Sequence, residues 1–149
     1  MGRLRGGAEA ELTADYLQRA ANAGRQLGFK SVDIAEVEPK PSGDQRLEAR
    51  ELFRATPDGA RKILLDERGA EWTSRQLAEK LARWRDDGQS HVVFWIGGAD
   101  GVSQSVKDQA DEKLAFGRQT WPHRLVRVMI AEQIYRAVTI LSGNPYHRD

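Results

Sequence analysis

The stretch His91–Gly101, HVVFWIGGADG, is the feature that most narrows the fold. Its run of β-branched and aromatic residues is too short for a typical helix and lacks polar alternation. It therefore predicts a strand covered on both faces, as in a parallel sheet flanked by helices. Gly97, Gly98 and Gly101 follow at once and let the backbone turn sharply or approach a ligand closely. Open α/β sheets bind small molecules at the carboxyl ends of their strands, which makes this loop a candidate site. A purely structural turn accounts for the same glycines, and spacing alone does not separate the two.

Taken in order, the rest of the chain predicts helices and strands in alternation. Residues 8–27 place Leu12, Tyr16, Leu17 and Ala20 at helical spacing. Val32, Ile34 and Val37 predict a strand that PKPSGD, residues 39–44, breaks. Residues 44–55 predict a helix whose Glu48, Arg50, Glu51 and Arg54 form a solvated face. Ile63, Leu64 and Leu65 within Lys62–Gly69 predict a buried strand with Asp66 at its exit, as a cap or a ligand contact. A helix from Ser74 to about Asp87 has Leu77, Leu81 and Trp84 as its apolar stripe and Ser74 as a cap. After the glycine loop, a helix from about Ser103 carries Val106, Ala110 and Leu114 inward, and residues 115–121 predict a further strand.

Pro122 suits the first turn of the longest helix, which runs to about Leu141. Its apolar positions, from Val126 through Ile130 and Ile134 to Leu141, occupy more than one face, which predicts two packing partners, one of them a second subunit. The whole pattern predicts a single α/β domain with a mainly parallel sheet flanked by helices.

Composition excludes more than it assigns. The chain has 149 residues, with 23 basic and 22 acidic side chains, so any basic footprint for nucleic acid must be local. With no cysteine, disulfides, thiolate chemistry and cysteine-based metal sites are excluded, and no metal is expected. The amino terminus has no apolar core of a leader peptide, and no run approaches the roughly 20 apolar residues of a membrane span. A cytoplasmic protein with no membrane partner is the expectation.

Motif chemistry is sparse. IGGADG lacks the lysine and hydroxyl residue of a phosphate-binding loop and is not GxGxxG, which counts against other nucleotide cofactors. His123 begins a helix, where the dipole disfavours added positive charge; a neutral imidazole there can accept a proton, or simply cap and pack. Tyr146, His147 and Arg148 combine a stacking ring, an imidazole and a fork of donors, a set suited to an RNA base and its phosphate. A frayed terminus is the alternative. Arg124, Arg127 and Arg136 along the long helix read equally as surface or interface charges.

Three segments read together carry a resemblance. LLDERG with Trp72 close behind, IGGADGVS, and TWPHRLVRVMIAEQIYRA running on to NPYHRD resemble the bacterial large-subunit rRNA methyltransferase H family. This SPOUT-class family methylates a ring nitrogen, N3, of a pseudouridine in large-subunit (23S) rRNA of the assembled ribosome. The resemblance covers nearly the whole chain. It implies one SPOUT-type domain over residues 1–149 with a carboxy-terminal trefoil knot, a homodimer, and S-adenosylmethionine as cofactor. Chain connections are almost never knotted, so the knot rests on the resemblance alone.

By position, the resemblance implies cofactor contacts at Leu65, at Gly97 with its neighbour Gly98, and along Phe116, Gly117, Arg118, Gln119, Thr120 and Trp121. It makes Tyr146, His147 and Arg148 the residues that hold the nucleotide, with His147, Arg148 and His123 in the chemistry. A non-catalytic dimeric RNA-binding module of the same fold is the rival expectation.

Family members usually open with an apolar strand before a glycine-basic loop, whereas MGRLRGG looks like that loop itself. A form extended upstream by such a strand is expected to melt at a higher temperature; equal melting of the two forms would contradict this.

Overall fold

Short apolar runs pack into a sheet only if their neighbours are in register, and Arg61–Glu71 (β1) supplies that register for two partners. A computed structural model describes residues 6–38, 43–98 and 100–148. Val92–Ile96 (β2) and Glu112–Ala115 (β3) flank β1 in the order β2-β1-β3, and both pairings are parallel. Leu65 stands opposite Ile96 on one side and Leu114 on the other. Ile63 and Leu64 point to opposite faces of β1, and both are fully buried, as a covered parallel strand requires.

The helices are Ala8–Gly24 (α1), Gln45–Arg54 (α2), Ser74–Asp86 (α3), Gln104–Gln109 (α4) and His123–Leu141 (α5). The chain divides into two compact units. One comprises the sheet with α2 and α4, drawn from Ala35–Glu71 and Gln89–His123. The other comprises α1, α3, all of α5 beyond His123, and the tail.

In the sheet unit, Leu64 and Trp95 meet Ala49 and Leu52 of α2 and Val106 of α4 in one apolar cluster. Trp95 donates from Nε1 to the Thr56 hydroxyl at 2.9 Å, so its one polar atom is satisfied inside the core. Asp44 caps α2 through the amides of Arg46 and Leu47, and Arg54 and Arg50 pair with Glu51 on its outer face, as the charge pattern predicts.

In the second unit, Thr73 rather than Ser74 caps α3. Its hydroxyl accepts from the Gln76 amide while the Gln76 side chain accepts from the Thr73 amide, a reciprocal capping box. Ser74 instead donates to Gln133 of α5 at 2.8 Å. Along α5, Ile130, Ala131, Ala137 and Val138 are buried, while Val126, Val128, Met129 and Ile134 are half-buried, so more than one face is indeed engaged. Arg127 is buried as well, not a surface charge.

Two predicted strands are corrected. Val32–Val37 is not a strand: a strand needs a neighbour for its N–H and C=O groups, the described sheet has three strands and none pairs with this segment, and Ile34 is exposed. Residues 39–42 of its predicted break, residues 1–5 of the glycine-basic start and Ala99 lie outside the described residues. The strand expected at 115–121 begins earlier, at Glu112, and Leu114 belongs to it rather than to α4. Polar links fix this shift. The Asp111 amide donates to the Lys62 carbonyl, the Lys62 amide to the Asp111 carboxylate, and Arg61 pairs with Glu112 at 3.0 Å. None of the described helices is long and apolar enough to cross a membrane.

Candidate active site

The carboxyl edge of the sheet gathers three segments that lie far apart in sequence. Gly97 leaves β2 just beyond the level of Leu65, and Phe116 leaves β3 just after Ala115 pairs with Glu71. Between Leu65 and Ala70, both of which pair with Leu114, β1 bulges outward through Asp66, Glu67 and Arg68. The Asp66 carboxylate accepts from the Arg68 amide at 2.9 Å and shapes the bulge.

Gly69 closes the bulge by lying directly on β3. A Cβ there would sit 2.6 Å from the Leu114 nitrogen and the Lys113 carbonyl carbon, so only glycine allows this approach. The bulge carries Glu67 to the third segment, where the Thr120 hydroxyl donates to its carboxylate at 3.2 Å. Trp121 donates from Nε1 to the Phe116 carbonyl at 3.1 Å and folds residues 116–121 into a closed loop. On the β2 side, Gly101 donates to the Gly98 carbonyl at 3.1 Å, and Gly97 sits so tightly under Val102 that a Cβ would come within 2.9 Å of that side chain.

The edge thus brings together Leu65, Gly97, Gly98 and the segment Phe116, Gly117, Arg118, Gln119, Thr120 and Trp121. Leu65, Gly97, Gly98, Phe116 and Gly117 are half-buried, whereas Arg118, Gln119, Thr120 and Trp121 are exposed. Such an edge offers apolar side chains and backbone donors and acceptors, suited to a flat heterocycle with polar rims. His123 follows Pro122 as the first residue of α5 and is half-buried.

Residues 144–147 form a second constellation, in the other unit, and are tied down rather than frayed. The Asn144 amide donates to the Thr139 carbonyl, and the Asn144 side chain accepts from the Tyr146 amide. The Tyr146 ring lies 4.7 Å from that of Tyr135, which in turn lies 6.1 Å from that of Tyr16 on α1. Its hydroxyl donates to Glu132 at 3.1 Å, and the Arg136 guanidinium lies over its face at 4.9 Å. Burial, then hydrogen bonds with Tyr16 and Glu132, hold the Tyr146 phenol well above its ordinary pKa. Tyr146 therefore stays a protonated donor, and it acts as an anchor within its own chain. His147 contacts Arg136 at 3.3 Å, and Arg148 is exposed.

Residue spacing alone does not single out Glu67, Gly69, Glu132, Tyr135 and Tyr16 as functional. A glycine within a strand pattern is the signal for the bulge, and the four-residue spacing of Glu132 and Arg136 is the signal for the tail anchor.

A family model described as "Predicted SPOUT methyltransferase" matches residues 1–147. The chain is 56% identical over 149 residues to a ribosomal RNA large subunit methyltransferase H of Paracoccus denitrificans, covering 100% of this chain and 96% of that protein. Identity to the protein of the same name from Caulobacter vibrioides is 52% over 149 residues, covering 100% and 95%. For that of Hyphomonas neptunium it is 51% over 148 residues, covering 99% and 95%. With a match that runs nearly end to end and identities above one half, the chain belongs to the SPOUT methyltransferase family, among the ribosomal RNA large subunit methyltransferases H.

Proposed function

We propose that this protein methylates N3 of a pseudouridine in large-subunit rRNA of the assembled ribosome, using S-adenosylmethionine, as a cytoplasmic homodimer. The observation that carries the reading is the convergence of three segments on one sheet edge, in a chain whose relatives are named rRNA methyltransferases. Residues 1–149 act as one SPOUT domain in this proposal, and α5 with its tail belongs to a carboxy-terminal trefoil knot, as the family resemblance implies.

The residues at the edge fit the cofactor. Leu65 and Phe116 offer half-buried apolar surface for adenine, and the backbone of Gly97, Gly98 and Gly117 to Trp121 offers donors and acceptors for the adenine rim and the methionine part. The cofactor supplies a methyl group already activated by its sulfonium, so the protein needs to position the acceptor nitrogen and help remove its proton. His123 is the proposed proton acceptor or positioning group. Tyr146 anchors the tail, and His147 and Arg148 order the nucleotide, reaching across the dimer.

A target embedded in the ribosome reconciles RNA chemistry with a net charge of +1, because shape and local surroundings replace a broad basic surface. Assembled particles are then methylated far better than free rRNA, and equal rates on the two would contradict this. Calorimetry with S-adenosylmethionine separates the reading from its rival: a non-catalytic RNA-binding module of the same fold binds no cofactor.

A further inference from the structure

A guanidinium has donors and no acceptor. Arg136 Nη1 stands 3.3 Å from Nδ1 of His147, so Nδ1 is the acceptor in that contact and the proton of the neutral ring sits on Nε2. Arg136 is itself fixed. Glu132 Oε1 accepts from its Nε at 3.0 Å and from its Nη2, which leaves Nη1 directed at the imidazole. The same carboxylate oxygen accepts from Tyr146, while Oε2 accepts from Gln133 at 2.8 Å. Two consecutive tail residues are thus tied to one ion pair on α5, whose side chains are only 25% and 17% exposed.

We propose that Glu132 and Arg136 are positioning residues that set the tautomer of His147, so that it meets the target nucleotide as a hydrogen-bond donor through Nε2 and not as a proton acceptor. The inference rests on the methyltransferase reading above and gives His147 its task within it. When the ring nitrogen loses its proton, negative charge spreads onto the two flanking carbonyl oxygens. A donor placed at either oxygen stabilises that charge, which a second base would not do. The proton itself passes to His123 or to water.

The test is kcat on ribosomal particles at saturating S-adenosylmethionine, with cofactor binding followed by calorimetry. His147→Gln keeps an amide N–H near the position of Nε2 and is expected to stay within about tenfold of wild type, whereas His147→Ala falls at least roughly 100-fold. Arg136→Gln is expected to fall roughly 10- to 100-fold, the usual cost of a misplaced group, with cofactor affinity unchanged. In the His147→Ala background the same change should cost clearly less than in wild type, because the part of its effect that passes through His147 is already lost; what remains reflects the contact of Arg136 with the Tyr146 ring. Should Arg136→Gln not fold, Glu132→Gln takes its place with the same expectation.

An H147Q variant as inactive as H147A would overturn the donor role. Full loss from R136Q in the H147A background would overturn the positioning role. A wild-type protein that binds the cofactor and methylates nothing would instead overturn the methyltransferase reading itself.

Discussion

Replacing Arg148 by alanine is expected to lower methyl transfer at least about 100-fold while leaving S-adenosylmethionine affinity nearly unchanged, the loss typical of removing one donor from a site of developing negative charge. Arg148 is exposed and follows directly on two residues that are pinned to α5. Its guanidinium therefore projects from a fixed base, which lowers the entropy lost when it engages a carbonyl or phosphate oxygen in a charge-assisted bond. The proposed cofactor edge is built from Leu65, the glycine loop and residues 116–121, none of which calls on Arg148. Steady-state methylation of ribosomal particles beside calorimetry separates the two effects. A fully active variant, or one that loses cofactor binding in proportion, would contradict the role of the tail.

The second large effect falls on stability. Gly69→Ala is expected to cost about 3 kcal/mol, toward the upper end for overpacking, and to lower the melting temperature by roughly 10 °C. The new methyl group would lie 2.6–2.7 Å from three backbone atoms of Lys113 and Leu114. Those atoms are strand backbone and cannot rotate away as a side chain can, so β1 and β3 must move apart. Glu67 moves with the bulge, and its bond to Thr120 is lost, so cofactor affinity falls too. Gly59→Ala is the control: its φ of +69° is costly for alanine, but a Cβ there meets nothing within 4 Å, and about 1–2 kcal/mol is expected. Thermal unfolding followed by circular dichroism compares the two, and a Gly69→Ala protein that melts like wild type would contradict the close approach.

Much of the fold was legible where one local signal dominates. Val92–Ile96 reads as a strand because its apolar run has no polar interruption, but β2 lies at the edge of the described sheet and only Trp95 of it is buried, so the expected cover on both faces holds for β1 instead. α5 reads as a helix because Pro122 and a long periodic stretch agree. Leu65 and Gly97 read as strand exits and Phe116–Trp121 as part of a strand, and the convergence of the three segments is a property of register. Leu65 must stand opposite both Ile96 and Leu114, and no local pattern encodes that.

Val32–Val37 misled for a related reason: its alternation suits a strand, but pairing depends on a neighbour elsewhere in the chain. The shift of β3 from residues 115–121 to Glu112–Ala115 is held by Asp111 and Glu112, polar residues whose partners lie 49 and 51 positions away. The tail was the least legible. Tyr146 suggests a ring for stacking on a base, and only the positions of Tyr135, Glu132 and Tyr16 reveal it as the anchor of His147 and Arg148.

The central claim is most directly tested by incubating the protein with S-adenosylmethionine and ribosomal particles that lack the modification, then mapping the large-subunit rRNA by mass spectrometry. The account predicts a single added methyl group on a ring nitrogen of one pseudouridine, with one S-adenosylhomocysteine formed for each methyl transferred. Particles that bind the protein yet gain no methyl group in the presence of the cofactor would contradict it and leave the non-catalytic RNA-binding module as the function.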